Sequence, residues 1–257
     1  MPRRINFFVR SLPLLLFFVM AGCAHSQPAR LVDIESDGWA LKGELRSLAG
    51  GGTPRALAVL LHGVAGDRSA YEQMADSMAS RGIASLRMDL RGHGESANLG
   101  TFDRDLGRYY DKDDPAIRAY FALLREADRD IRSIYRWIDS DSFLATLPLL
   151  VVSASYTGEE MAEAGQAQRH ALAYVTLAPG SFSQESISMI DSSRPAWLFI
   201  CAEQEMPFFP ALFDSIREGS ESAEIRVIPG EGHGTELLIE KPGLDLTIIE
   251  WLESHLD

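Results

Sequence analysis

Six short apolar runs, separated by segments with helical periodicity, constrain this chain more than any other feature. The runs are LAVLLHG, IASLRMDL, LPLLVVSA, HALAYVTLAPG, RPAWLFICA and AEIRVIPG. Continuous rather than alternating hydrophobicity marks strands buried on both faces, the condition of a parallel sheet. Between the runs, Tyr71, Met74, Ala75 and Met78 recur at helical spacing, closed by Gly82. Ile131, Ile134, Tyr135 and Ile138 repeat the pattern, as do Leu244, Ile248, Trp251 and Leu252 near the end. Ahead of the first run, RLVDIESDGWALKGEL reads as a hairpin turning at Ser36-Asp37-Gly38. A hairpin followed by alternating strands and helices predicts an α/β fold, with a mostly parallel central sheet covered by helices on both faces. The 257 residues suit one large domain of this kind.

The first 22 residues are different in kind. Arg3, Arg4 and Arg10 precede the apolar run SLPLLLFFVM, and Ala21 and Gly22 lead into Cys23. The run is short for a bilayer span and has the layout of an export signal. Its ending, VMAGC, resembles the lipobox of bacterial lipoproteins, with Met20 where leucine is usual. The resemblance implies a signal peptide over residues 1–22, a lipidated Cys23, a tether over 23–29 and a folded domain over 30–257. An uncleaved anchor or a plain secretory signal is the alternative. Ala24 rather than aspartate after the cysteine implies, by resemblance to lipoprotein sorting signals, the periplasmic face of the outer membrane. The only other cysteine, Cys201, lies in an apolar run, which argues against a disulfide framework. A net charge of −13 argues against nucleic acid as a partner.

Chemistry in a parallel sheet is expected at the carboxyl ends of its strands. Ser155 follows LPLLVVSA, with Thr157-Gly158 opening a helix, so its hydroxyl projects clear of the sheet on a sharp turn, beside a helix N-terminus that favours developing negative charge. His62-Gly63-Val64 ends the first parallel run, and Gly92-His93-Gly94-Glu95-Ser96 follows the second. Taken in order, these motifs resemble the α/β-hydrolase family across residues 30–257, especially its small esterase-like and dienelactone-hydrolase-like members. Ser153 and Thr157 depart from the family's elbow, which has glycine two places either side of the serine; here glycine comes one place late, at Gly158. Dienelactone hydrolases use a cysteine nucleophile, so that substrate does not follow.

The resemblance implies a Ser–acid–His triad with Ser155 as nucleophile. Of the six histidines, His25 lies in the tether, His170 precedes a strand, His255 is in the last helix, and His62 and His93 sit in tight glycine turns. His233, between Gly232 and Gly234 after the last strand, is left as the base. Glu205 stands where the family has its acid, with Glu203 and Asp214 as alternatives. The backbone N–H groups of Val64 and Tyr156 match the oxyanion donors. Fewer than twenty residues separate LAPG from RPAWLFI, too few for a large cap domain. Extra length precedes the middle helix instead, where Tyr109, Tyr110, Tyr120 and Phe121 are candidates for an acyl wall or for packing. Met206, Phe208 and Phe209 are open to the same two readings.

The implied function is a carboxylesterase acting on a small-molecule ester, with the membrane met only through the lipid anchor. A serine peptidase or amidase on the same triad is one alternative, and a non-catalytic envelope binding protein is another. No cofactor is implied, and the spacing shows neither clustered metal ligands nor a phosphate-binding glycine loop.

Overall fold

The computed structural model describes residues 29–48, 51–64, 66–102, 113–167, 171–180, 182–192, 195–219 and 222–256. Cys23, the residues before it, and Tyr109 and Tyr110 lie outside them. Eight strands form one sheet: β1 (Arg30–Ser36), β2 (Trp39–Arg46), β3 (Ala56–Leu61), β4 (Ile83–Met88), β5 (Leu149–Ala154), β6 (Ala173–Leu177), β7 (Ala196–Ala202) and β8 (Ala223–Ile228). Their order is β1-β2-β4-β3-β5-β6-β7-β8. β1 and β2 are the expected hairpin, with Ser36 opposite Trp39. Asp37 (φ 51°) and Gly38 (φ 85°) both take left-handed backbone, as a two-residue hairpin turn of matching twist requires. β2 runs antiparallel to β4, and every later pair is parallel.

The parallel strands are apolar throughout because each face of the sheet has its own core. Leu57, Val59 and Leu61 of β3 point to one side, and Ala56, Ala58 and Leu60 to the other. The second side is covered by α1 (Glu72–Ser80) and the final helix α8 (Leu244–Glu253), through Met74, Met78, Ile248 and Leu252. After α2 (Pro115–Leu124), the first side is covered by α3 (Ala127–Ser140), α4 (Thr157–Ala167), α5 (Gln184–Ser192) and α6 (Pro210–Gly219). A short α7 (Glu236–Glu240) completes the set. On α3 the predicted stripe of Ile131, Ile134, Tyr135 and Ile138 is fully buried. Each such aliphatic side chain contributes about 1.5–3 kcal/mol of transfer free energy, which fixes this helix to the sheet. β8 is the exception: it is an edge strand whose residues are only partly covered.

Among the described residues only α5 separates β6 from β7, so no large cap domain is inserted between those strands. The turn after β4 is fixed from below by a fully buried Arg91. Its backbone N–H and guanidinium all donate to Asp130 of α3, at 2.7–3.0 Å.

Candidate active site

The site is assembled where β3, β5, β7 and β8 end. β5 stops at Ala154, and Ser155 takes φ 58°, a left-handed conformation that costs a non-glycine residue about 1–3 kcal/mol. Hydrogen bonds hold it there: the Ser155 N–H donates to Leu177 O (2.9 Å), and its carbonyl accepts from Gly158 N (3.0 Å) and Gly180 N (3.2 Å). The two residues that depart from the family elbow are both accommodated. Thr157 is fully buried, and its Oγ1 accepts from Ala154 N (2.9 Å) and donates to Ala154 O (2.8 Å). Ser153 Oγ donates to Val175 O (3.2 Å) and lies 3.0 Å from Thr176 Oγ1. Glycine is needed one place later than usual because a Cβ on Gly158 would stand 2.6 Å from Thr176 Cγ2.

Thr157→Gly therefore removes a buried hydroxyl with two backbone partners. A loss of about 1–3 kcal/mol of stability is expected, with Thr157→Ser recovering most of it. Thermal unfolding measures both, at about 2–4 °C per kcal/mol for a domain of this size. An unchanged midpoint for the glycine variant would show that the hydroxyl contributes nothing.

His233 is carried on the loop after β8, with Gly234 at φ 57°. The loop is tied by Gly232 N donating to Glu240 Oε2 (3.1 Å) and His233 N donating to Glu236 Oε2 (3.3 Å). His233 Nε2 lies 2.7 Å from Ser155 Oγ. Its Nδ1–H donates to Glu205 Oε1 in a short hydrogen bond. Glu205 sits on a short, tightly wound helix, Glu203–Phe208, directly after β7, and its side chain is 12% exposed. Of the three candidate acids, Glu205 is the one bonded to His233; Glu203 and Asp214 are exposed. Cys201, just upstream, is buried, and burial followed by the charge of Glu205 pushes its thiol up to about 11. It is therefore no rival nucleophile.

The oxyanion side is built from close backbone approaches. A Cβ on Gly63 would lie 3.2 Å from both Ala154 O and Ser155 Cβ, so glycine lets the loop after β3 reach the serine without displacing either atom. His62 Nε2 accepts from Leu90 N (3.1 Å), which leaves the proton on Nδ1, donated to Gly63 O (2.8 Å). Gly66 N donates to the same carbonyl (3.1 Å). In a planar trans peptide the carbonyl and the next N–H point in opposite directions. Fixing Gly63 O therefore also fixes the direction of the Val64 N–H. Among the described residues, neither the Val64 N–H nor the Tyr156 N–H has an acceptor. His93 donates from Nδ1 to Arg91 O (2.9 Å), and its ring packs 4.8 Å from that of His62.

A cleft of about 650 Å³ opens beside Ser155, lined by Val64, Tyr156, Phe121, Phe182 and carboxylates of α4. That volume suits a small organic ligand. Phe121 is thus a wall, whereas Tyr120 is buried, edge-on to Phe102. Met206 and Phe209 pack on the core, and Phe208 is exposed. Gly180 and the glutamates of α4 were not legible in the sequence as parts of the site. Gly180 passes so close to Tyr156 that a Cβ would lie 3.1 Å from its Cα. Glu160 lines the cleft from α4. Among the described residues, no group of three or more His, Cys, Asp or Glu side chains is arranged to hold a metal ion.

A family model described as serine aminopeptidase, S33, matches residues 52–200, more than half of the chain. The chain belongs to this family of α/β serine hydrolases. Solved structures agree on the fold. A dienelactone hydrolase from Anabaena variabilis superposes with a TM-score of 0.65 at 17% identity, covering 88% of this chain and 95% of that one. A lidless α/β serine hydrolase from Xanthomonas campestris gives 0.60 at 17% identity, covering 87% and 94%. An esterase from Pyrococcus furiosus gives 0.63 at 12% identity, covering 90% and 92%. None of the curated proteins matches the sequence.

Proposed function

We propose that this α/β serine hydrolase cleaves carboxylic esters through an acyl-enzyme on Ser155. The observation that carries the reading is the hydrogen-bonded chain Glu205–His233–Ser155, ending on a strained serine beside two N–H donors. His233 Nε2 takes the Ser155 proton as Oγ attacks the ester carbonyl carbon. The oxygen that becomes negative is met by the Val64 and Tyr156 N–H groups, donors that need no reorganisation as charge develops. The imidazolium, stabilised by the Glu205 carboxylate, then gives its proton to the departing alkoxide. Water, activated by the same imidazole, attacks the acyl-enzyme and releases the acid and free serine. None of these steps calls for a cofactor.

The non-catalytic alternative is motivated by Ser153 and Thr157, and their hydrogen-bonded fit weakens it. The peptidase or amidase alternative uses the same groups, and parallel assays on a p-nitrophenyl ester and the matching p-nitroanilide separate the two. The direct test is labelling of the full chain, in detergent, by a fluorophosphonate probe. Labelling at Ser155 together with faster cleavage of the ester supports the proposal. An unlabelled, folded protein would sink it.

The Cys23 anchor belongs to the same proposal, supported by the sequence pattern alone. Expressed whole in a bacterium, the protein is expected to incorporate labelled fatty acid and to fractionate with membranes. Cys23→Ala is expected to abolish the label. Several acyl chains together give stable anchoring where one is marginal. Undiminished labelling of the Cys23→Ala chain would remove the assignment.

A further inference from the structure

β8 is an edge strand, and one row of its backbone groups is open. Trp197 stands opposite Ala223, and its N–H donates to Ser222 O (2.7 Å). Alternate residues of a parallel strand bond the same neighbour. Ser222, Glu224, Arg226 and Ile228 therefore turn their backbone towards β7, and Ala223, Ile225 and Val227 turn theirs away. The N–H and C=O groups of those three have no partner among the described residues. Between them stand two opposite charges on the α8 face of the sheet. Glu224 Oε1 accepts from Arg226 Nε (2.6 Å), and Glu224 Oε2 accepts from Trp251 Nε1 (3.0 Å). Both side chains stay partly open, Glu224 at 46% and Arg226 at 34%. Val227, on the other face, is exposed as well.

The simplest account is that Glu224 and Arg226 guard the edge, since charged side chains commonly blunt an exposed strand. The opposite edge shows what such guarding looks like. The fullest antiparallel pairing of β1 with a copy of itself centres on Asp33, and it sets that carboxylate against its own copy. β8 behaves in the opposite way. When two β8 strands run antiparallel about a two-fold axis at Ile225, Ala223 stands opposite Val227 and Ile225 opposite its copy. Those pairs exchange all of the outward groups. Glu224 then stands opposite Arg226 twice, at the non-hydrogen-bonded pairs, where Cα atoms are only about 4.5 Å apart. Moving the axis to Glu224 sets glutamate against glutamate, and moving it to Arg226 sets arginine against arginine. Either shift also carries one outward residue past the end of the strand. One register therefore satisfies both the backbone and the charges.

We propose that β8 is a self-recognition edge, through which two copies of this chain pair antiparallel in the register centred on Ile225. Glu224 of each copy meets Arg226 of the other across the axis, and opposite charges in that position attract. The two sheets run on as one. Their carboxyl edges point in opposite directions, which keeps the two Ser155 sites apart. A contact made by one strand edge is small, so association in the micromolar range is expected.

The test uses the full chain in detergent micelles. A Glu224→Cys chain is mixed with an Arg226→Cys chain under mild oxidation, and linked peptides are identified by mass spectrometry. The spacing of a non-hydrogen-bonded pair lies within the range that a disulfide spans. The expected product is a disulfide joining positions 224 and 226, at about tenfold or more the yield of self-linked product from either chain alone. In sedimentation, Glu224→Arg and Arg226→Glu are each expected to weaken the dimer about tenfold or more, and the double reversal to restore it. Thermal unfolding checks that each variant is folded, and a loss of fold would not be repaired by the second reversal. Self-linking of the Glu224→Cys chain would overturn the register and the charge pairing with it. Equal linking in all three samples, no linking in any, or a dimer indifferent to both reversals would overturn the proposal. Linkage in cells to a different protein, with no self-linked or mixed product, would do the same.

Discussion

Ser155→Ala is expected to eliminate fluorophosphonate labelling and to lower ester hydrolysis by roughly 10⁶-fold, the scale set by loss of an activated serine nucleophile. The remainder, about 10³–10⁴ over water, is what the Val64 and Tyr156 donors and the cleft supply without a nucleophile. The fold should tolerate the change. Ser155 Oγ bonds His233, while the elbow is held by backbone contacts to Leu177, Gly158 and Gly180 that alanine retains. Alanine also keeps the strain of φ 58°. Ser155→Gly does not, because glycine enters left-handed backbone freely. The glycine variant is therefore expected to be equally inactive yet about 1 kcal/mol more stable than the alanine variant. Turnover and thermal midpoints measured on both variants separate the chemical role of the side chain from the conformational cost of holding it. Activity within tenfold of the parent in either variant would remove Ser155 from the mechanism.

The same elbow shows what a sequence of this kind discloses. The parallel strands were legible because both faces of the sheet are covered, which turns each strand into an unbroken apolar run; β5, buried at every position, is an example. β8 reads as a strand but not as an edge, since its partial exposure depends on which strand lies beside it. Ser155, Glu205 and His233 could be proposed because each follows a strand and their chain order resembles the family's. Glu205 takes precedence over Glu203 in the sequence because it stands where the family has its acid; the short helix after β7 supplies the physical reason, aiming one carboxylate at His233 and leaving the other in solvent. The late glycine reads as a defect in the sequence. It reflects a contact across strands, Thr176 against Gly158, which no local pattern encodes. The acidic wall of the cleft was equally hidden. Glu159, Glu160 and Glu163 read as the solvated face of a helix until α2 and α3 close over them.

Glu205→Gln is the more discriminating substitution, because it alters charge with almost no change in shape. The glutamate receives the Nδ1–H of His233, whose Nε2 lies against Ser155 Oγ. In the proposed mechanism Nε2 takes the serine proton and the carboxylate charge stabilises the imidazolium that results. A glutamine amide in its place can donate to Nδ1, which holds the ring in the wrong tautomer, and it offers no net charge at all. With the side chain only 12% exposed, little water is present to make up that loss. A fall in kcat of about 10⁴-fold is expected, equivalent to some 5 kcal/mol of transition-state stabilisation. KM should move far less, since the lining of the cleft beside Ser155 does not include Glu205. Stability should not fall in parallel. Glu205 Oε2 is buried with no hydrogen-bond partner among the described residues, so neutralising the group relieves a desolvated charge. The expected variant is one with an equal or higher thermal midpoint and almost no turnover, the exchange of stability for activity found at strained active sites. Glu203→Gln, two residues away and exposed, should leave kcat within about twofold, as surface substitutions away from such features usually do. The decisive comparison is kcat for the two variants on one neutral ester. If Glu203→Gln proved the damaging change, the acid would have to be reassigned and the hydrogen bond to His233 would be a structural contact alone.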